Sequence, residues 1–377
     1  MANTRIFAAV RVIPTLLAAA TLSCNSSKEP ILLGLAGPIS LPRGKSMQLA
    51  AELAVSEINQ RGGLLGRRVE LVIRDDSDRE DTAIRVANSF YADPRVVAVI
   101  GHASGQATTA AASVYNAEPD PVVAISPSVS GTDIGKLGSY TFGISVDDAA
   151  HGATLAQWLH DQIGSRQVGM ILHDDASGRS VANSFRIAFE KLGGTVIEED
   201  RYSDNLPTLE PYLTRMRMRG GVRALMLARI GNGIRKVIAG LDTSGMHALL
   251  VGTHDLLDVT SLDSLQGLIV STTYLPDHSR RPNRAFVTAY VHTYSGQRPD
   301  RYAAGVYDIV KLLANVIESV GTDRTDIRDY LAAIGTRTRP FEGVTGRIGF
   351  DSNGDPLHSN AWIAIVRNGQ LSATAVP

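Results

Sequence analysis

The 377 residues carry 37 basic and 38 acidic side chains, a net charge of -1, so nothing at the level of the whole chain draws it to nucleic acid or to an anionic lipid surface. With 44% hydrophobic residues, 20% charged residues and 35 glycines, the composition is that of a folded globular protein with many tight connections. A chain of this length exceeds one small core and suits two lobes with a cleft between them.

Arg5 and Arg11 precede an apolar stretch at 12–22 that is too short to span a bilayer, which reads as a signal peptide over 1–23. The only cysteine, Cys24, follows directly, so no intramolecular disulfide can form and stability must come from packing in both lobes. Residues 24–29 form a polar linker. From residue 31 onward short apolar runs alternate with helix-period stretches, a βα order that predicts parallel sheets. The run Ile31-Leu32-Leu33-Gly34-Leu35-Ala36 is apolar on both faces and suits a central strand. Met47, Ala50, Ala51, Ala54, Val55 and Ile58 place one buried stripe on a helix over 46–59, which Gly62 and Gly63 stop. Strands follow at 69–73, 96–100 and 122–125, with helices at 81–91 and 108–117.

The βα order resumes with a helix over 149–162 and a strand over 168–172. Further strands at 195–198, 224–228, 248–251 and 268–271 alternate with helices at 180–192, 209–218 and 234–241, giving a second doubly wound sheet. Three later helices, 284–294, 303–320 and 324–333, have no strand between them and are expected to pack back on the first lobe.

Gly44-Lys45-Ser46 lies where a phosphate-binding loop would lie, but the motif needs a glycine five positions before Gly44 and Ile39 stands there, so an ordinary helix start is expected. Gly34 and Gly37 lack the rest of a dinucleotide fingerprint, and no two histidines stand at the i, i+4 spacing of a helical metal site. Neither a cofactor nor a metal is expected. Ser104, in Gly101-His102-Ala103-Ser104-Gly105, lacks the glycine-flanked elbow of a serine nucleophile, and its hydroxyl suits hydrogen bonding. The run Asp75-Asp76-Ser77-Asp78 reads as helix capping and solvated surface. What remains is a set of hydroxyls at the carboxyl ends of strands: Ser104, Thr108, Ser126, Ser128, Ser130 and Ser177. Those ends are where open α/β sheets bind ligands, and helix N-termini beside them favour a carboxylate. Arg229, directly after the 224–228 strand, would point into the cleft, with Arg43 on the rim, and two cations there favour an anionic ligand.

Several segments resemble the type I periplasmic binding proteins of the branched-chain amino acid class. They are Ala54-Val55-Ser56-Glu57-Ile58-Asn59 with Arg61-Gly62-Gly63-Leu64-Leu65-Gly66, Val99-Ile100-Gly101-His102, Ile125-Ser126-Pro127-Ser128, Tyr302-Ala303-Ala304 with Tyr307-Asp308, and the run from Gly343 to Asp355. The resemblance covers almost the whole mature chain. It implies two α/β lobes joined by a three-crossover hinge, with 30–144 and 276–346 in the first and 145–275 and 347–377 in the second. Closure on a small ligand and delivery to an ABC importer are implied with it. By position, Ser104 or Gly105, Thr108, Ser128 and Ser130 would hold an amino acid's carboxylate and amino group. Ser177 stands where relatives often carry a tyrosine, and His254, next to Asp255, stands where an acid would face an ammonium group. Thr21-Leu22-Ser23-Cys24 is similar to a bacterial lipoprotein signal, which implies an exported protein anchored by lipid at Cys24.

The reading is therefore a non-enzymatic, extracytoplasmic solute-binding protein, expected to be a monomer, that captures a small carboxylate-bearing ligand for an ABC permease. Two alternatives stay open: a sensory version of the same fold that signals to a partner protein, and an exported hydrolase, for which no nucleophile with a partner base is recognisable.

Overall fold

The computed structural model describes Met1 and residues 29–129, 134–164, 166–258, 262–357 and 361–374. The expected signal peptide, Cys24 and Ser130 lie outside the described residues.

The first sheet contains β1 (Ile31–Gly37), β2 (Val69–Asp75), β3 (Val96–Ile100), β4 (Val123–Ser126) and β5 (Thr141–Gly143), all parallel, in the order β2-β1-β3-β4-β5. Every residue of β1 is buried, as its two-sided apolar sequence requires. Helices α1 (Pro42–Gln60), α2 (Glu80–Tyr91) and α3 (Gly105–Tyr115) make the crossovers. The helix α1 starts four residues earlier than its apolar stripe indicates, because Pro42 supplies the fixed φ of a first helical residue. Gly44 is required there: a Cβ would stand 2.0 Å from the Pro38 carbonyl oxygen.

The second sheet repeats the pattern. Strands β6 (Gln167–His173), β7 (Thr195–Tyr202), β8 (Ala224–Ala228), β9 (Leu249–Thr253) and β10 (Ile269–Thr272) run parallel in the order β10-β9-β8-β6-β7. Helices α4 (Asp148–Ile163), α5 (Ala176–Lys191), α6 (Glu210–Arg219) and α7 (Ile234–Ser244) belong to this lobe. The next three helices, α8 (Arg281–Thr293), α9 (Arg301–Val320) and α10 (Arg324–Leu331), share one core with β1 and α1, so the chain returns to the first lobe as expected. A short hairpin, β11 (Phe341–Glu342) and β12 (Arg347–Ile348), follows. The chain then ends in β13 (Trp362–Arg367) and β14 (Gln370–Ala373), which extend the second sheet antiparallel beside β10.

The last crossing lies further along than residue 346. Ile348 and Phe350 are buried in the first-lobe core, and Phe350 meets Phe142 edge-on with ring centroids 5.1 Å apart. Leu357 still donates its N–H to Gly349, so the first lobe keeps the chain through residue 357, and Trp362 is already in the second sheet. Burial of an aromatic side chain worth about 3–5 kcal/mol decides where the chain leaves.

Buried Asp308, inside α9, fixes the turn that precedes β12. Its carboxylate accepts the Val344 N–H at 2.7 Å, the Thr345 N–H at 2.8 Å and the Thr345 hydroxyl at 2.6 Å. A Cβ on Gly343 would stand 2.4 Å from this carboxylate, so glycine is needed for the approach. Burial pushes the Asp308 carboxyl up from its ordinary 3.8 to about 6, against those three hydrogen bonds. Between those values the folded protein holds a proton that the unfolded chain has released, so this group's contribution to stability falls as pH rises through that window. Urea unfolding from pH 4 to pH 7 should show that component in the native chain and lack it in Asp308→Asn. The variant should also lose about 1–3 kcal/mol at pH 7, where the amide cannot accept from both N–H groups. Parallel pH profiles for the two proteins would contradict this.

Candidate functional site

Strand order reverses between β1 and β3 in one lobe and between β6 and β8 in the other. At such a reversal successive helices leave to opposite faces and the carboxyl ends of the strands open on a crevice. In the first lobe the turn from β3 to α3 fills this place. The Ser104 hydroxyl caps α3 by accepting the Ala107 N–H at 3.3 Å, and Gly105 begins the helix in an exposed position with open space where a Cβ would be. The first-turn N–H groups and the positive end of the helix dipole thus border the crevice.

Three hydroxyls brace this turn. Ser126 donates to the His102 carbonyl at 2.8 Å, Ser128 to the Ala103 carbonyl at 2.6 Å, and Thr108, only 3% exposed, to the His102 carbonyl at 3.5 Å. Thr108 therefore shapes the turn from inside, while Ser128 stays half-buried beside it.

Beneath the turn, the fully buried His102 ring lies between Asp76 Oδ2 at 2.6 Å from Nδ1 and the Tyr115 hydroxyl at 3.0 Å from Nε2. Burial and then the charge of Asp76 push the Tyr115 phenol far up, so it keeps its proton and donates to Nε2, which leaves Nδ1–H to donate to Asp76. The acidic run expected on the surface is thus partly interior: Asp76 is fully buried, and its second oxygen accepts the Asp78 N–H at 2.8 Å. Asp78 in turn holds Arg43 in an ion pair on the rim.

In the second lobe Arg229 immediately follows β8 at the reversal, with φ of +58°, a left-handed conformation that costs a non-glycine residue about 1–2 kcal/mol. Asp255 supports it by accepting the Gly231 N–H at 2.8 Å and the Thr253 hydroxyl. The Arg229 guanidinium donates to His254 Nε2 at 3.5 Å, and its nearest carboxylate oxygen among the described residues, on Asp255, is 3.9 Å away. The side chain keeps 29% of its surface exposed. Ser177, in the first turn of α5, donates to Asp148 in the first turn of α4. Burial pushes the Asp148 carboxyl up, and the charge of Arg229 opposes that shift.

Sequence reasoning missed two sets of residues here. The buried His151 ring stacks at an angle against His254, centroids 4.9 Å apart, and its Nδ1 lies 2.8 Å from the Ser271 hydroxyl. Burial, then Arg229 and Arg301, hold His151 down at about 3, and burial, then Arg301, His151 and Arg229, hold His254 well below its usual value. Arg301 and Tyr302 open α9 on the first lobe and both reach Asp258, which follows β9 on the second: Arg301 pairs with it and the Tyr302 hydroxyl donates at 3.3 Å. The guanidinium of Arg301 lies 4.0 Å above the Tyr302 ring. The available signal was the charged pair Asp300-Arg301 at the head of a long apolar helix.

The structure thus gathers Ser104, Gly105, Thr108 and Ser128 around one turn of the first lobe, and Ser177, Arg229, His254 and Asp255 in one cluster of the second. It ties Arg43 to Asp78. Among the described residues no group of three or more potential metal ligands is present, and no helix is long and apolar enough to cross a membrane. Two crevices at strand-order reversals are thus bordered by hydroxyls, a helix N-terminus and a loosely paired arginine, and Arg301 and Tyr302 on one lobe reach Asp258 on the other.

A family model for periplasmic binding proteins matches residues 30–370. The chain is 25% identical over 354 residues to a Leu/Ile/Val-binding protein homolog of Brucella suis, covering 90% of this chain and 91% of that protein. It is 25% identical to the leucine-, isoleucine-, valine-, threonine- and alanine-binding protein of Pseudomonas aeruginosa, over 93% and 92% of the two. The structure of an ABC transporter substrate-binding protein from Desulfitobacterium hafniense in complex with Leu superposes with a TM-score of 0.81 at 28% identity, over 92% of this chain and all of that one. The chain belongs to the periplasmic binding protein family, a class of exported proteins that bind solutes for ABC transporters.

The His102→Ala variant should be destabilised by about 3–5 kcal/mol in urea unfolding, because it strands the Asp76 carboxylate and the Tyr115 hydroxyl in the core. A loss below about 1 kcal/mol would mean that the ring does not hold the turn.

Proposed function

We propose that this protein captures a small carboxylate-bearing solute between its lobes, without chemical conversion, and hands it to an ABC importer. The single observation that carries the ligand class is Arg229: a part-exposed guanidinium at the strand-order reversal, in an unfavourable backbone conformation, whose nearest carboxylate oxygen among the described residues, on Asp255, is 3.9 Å away. On closure, the Gly105 end of α3 and the hydroxyl-braced turn at Ser128 supply neutral donors from the first lobe, with Ser130 beside them in sequence. Arg229 supplies the charge from the second. The names of the Brucella and Pseudomonas relatives, which refer to amino acids, support a carboxylate as the common handle. Thr108 and Asp255 serve as supports for the two loops, and Ser177 orients Asp148. We further infer that Cys24 is acylated after removal of residues 1–23, so that the mature protein is a tethered monomer at the membrane surface.

A thermal-shift screen of amino acids, hydroxy acids, dicarboxylates and aromatic acids should yield ligands that raise the melting temperature by mass action. Arg229→Ala should weaken each acidic hit by about 1.5–3 kcal/mol, roughly 10–150-fold in Kd, as removal of one charge-assisted hydrogen bond does. An unchanged Kd would remove Arg229 from the ligand.

A further inference from the structure

The proposed ligand handle is a carboxylate; the groups around it also specify what the rest of the ligand can carry. On the second lobe, each acidic side chain near Arg229 already serves a donor of the protein. Asp147 caps α4 by accepting the Ala149 N–H, and Asp148 accepts from Ser177. Asp175 caps α5 by accepting the Gly178 N–H, and Asp255 accepts from Gly231 and Thr253. Asp258 is held by Arg301 and Tyr302. On the first lobe Asp76 serves His102, and Asp78 serves Arg43 through Oδ2 while its buried Oδ1 has no partner among the described residues. The cations differ: Arg229 has no carboxylate oxygen within 3.5 Å among the described residues.

His254 stands next to this guanidinium. It is 6% exposed, accepts from Arg229 through Nε2, and has no partner for Nδ1 among the described residues. With Nε2 accepting, Nδ1 bears the hydrogen, so the ring is an acceptor only toward Arg229. Burial first, and then the charges of Arg301, His151 and Arg229, keep it uncharged. An ammonium group brought alongside a carboxylate on Arg229 would meet a guanidinium and an imidazole already engaged as an acceptor, and among the described residues of the second lobe it would find only carboxylates that already accept from the protein.

We propose that the cleft selects carboxylic acids that lack an α-ammonium group, such as 2-hydroxy acids or unsubstituted acids, over amino acids of the same carbon skeleton, and that His254 decides this preference. The inference rests on the carboxylate reading of Arg229. It separates this chain from the amino acids in the names of the Brucella and Pseudomonas relatives.

The test is isothermal titration of the full mature chain at pH 7 with matched probes: leucine, 2-hydroxy-4-methylpentanoate and 4-methylpentanoate, then phenylalanine, 3-phenyllactate and 3-phenylpropanoate. In at least one set a deaminated acid should bind ten-fold or more tighter than its amino acid. His254→Glu should shift the ratio toward the amino acid by ten-fold or more, whereas His254→Gln, which adds no charge, should keep the native preference. Amino acids that bind as tightly as their deaminated partners would overturn the selection while leaving the carboxylate reading intact. A reversal in the Gln variant equal to that in the Glu variant would overturn the role of His254. Binding of neither class in either set would overturn both readings together.

Discussion

A strand that crosses over to a parallel neighbour must do so in a right-handed sense, so a sheet that grows first one way and then the other sends its helices to opposite faces at the point of reversal. Between those diverging helices the carboxyl ends of two strands open on a crevice that no helix covers. Both lobes meet this constraint in the same order, β2-β1-β3-β4-β5 and β7-β6-β8-β9-β10. The β3–α3 turn and Arg229 therefore occupy equivalent places, one per lobe. The residues around them act as devices that hold the two segments still.

The devices differ in kind. In the first lobe a buried Asp76–His102–Tyr115 chain supports the turn from below while serine and threonine hydroxyls tie its carbonyls. Such buried polar chains contribute little net stability against an apolar replacement, but every member is satisfied in only one arrangement, so they define conformation. In the second lobe a single carboxylate, Asp255, gathers the Gly231 N–H and the Thr253 hydroxyl and so holds the loop in which Arg229 takes its left-handed turn. The backbone at Arg229 is thus ordered in advance, while its side chain stays part-exposed.

The two lobes meet through Arg301, Tyr302 and Asp258. Arg301 is 10% exposed and its charge reaches both His151 and His254, so the hinge contact and the floor of the second-lobe crevice share one electrostatic environment. Water excluded by closure would strengthen the attraction between Arg229 and a ligand anion, since the same pair interacts several-fold more strongly at an effective dielectric of about 20 than in bulk water. Neutral imidazoles below the arginines keep that floor free of further charge that would compete for them.

The sequence by itself determined the βα alternation and the position of Arg229 directly after a strand, because both follow from local periodicity of apolar side chains; three helices with no strand between them pointed to the return of α8 to α10, which long-range packing on β1 and α1 decided. It also placed Ser104, Ser128 and Ser177 at strand ends, since a strand's end is local information too. Only the tertiary structure decided the partners. Asp76 reads as one of four acidic or polar surface residues until β2 and β3 pair on either side of β1 and bring His102, 26 positions away, against it. Arg301 and Asp258 are 43 positions apart and His151 and Ser271 are 120 apart, and each pair meets only through the hinge or the order of the second sheet. The expected boundary at residue 346 puts Phe350 in the second lobe because a lone aromatic in a glycine-rich run carries no period; in the structure it packs in the first-lobe core, with Phe142 among its neighbours, and donates its N–H to the Ile334 carbonyl. Periodicity specifies which face of an element is buried; the order in which the elements lie side by side specifies what each buried polar group finds there.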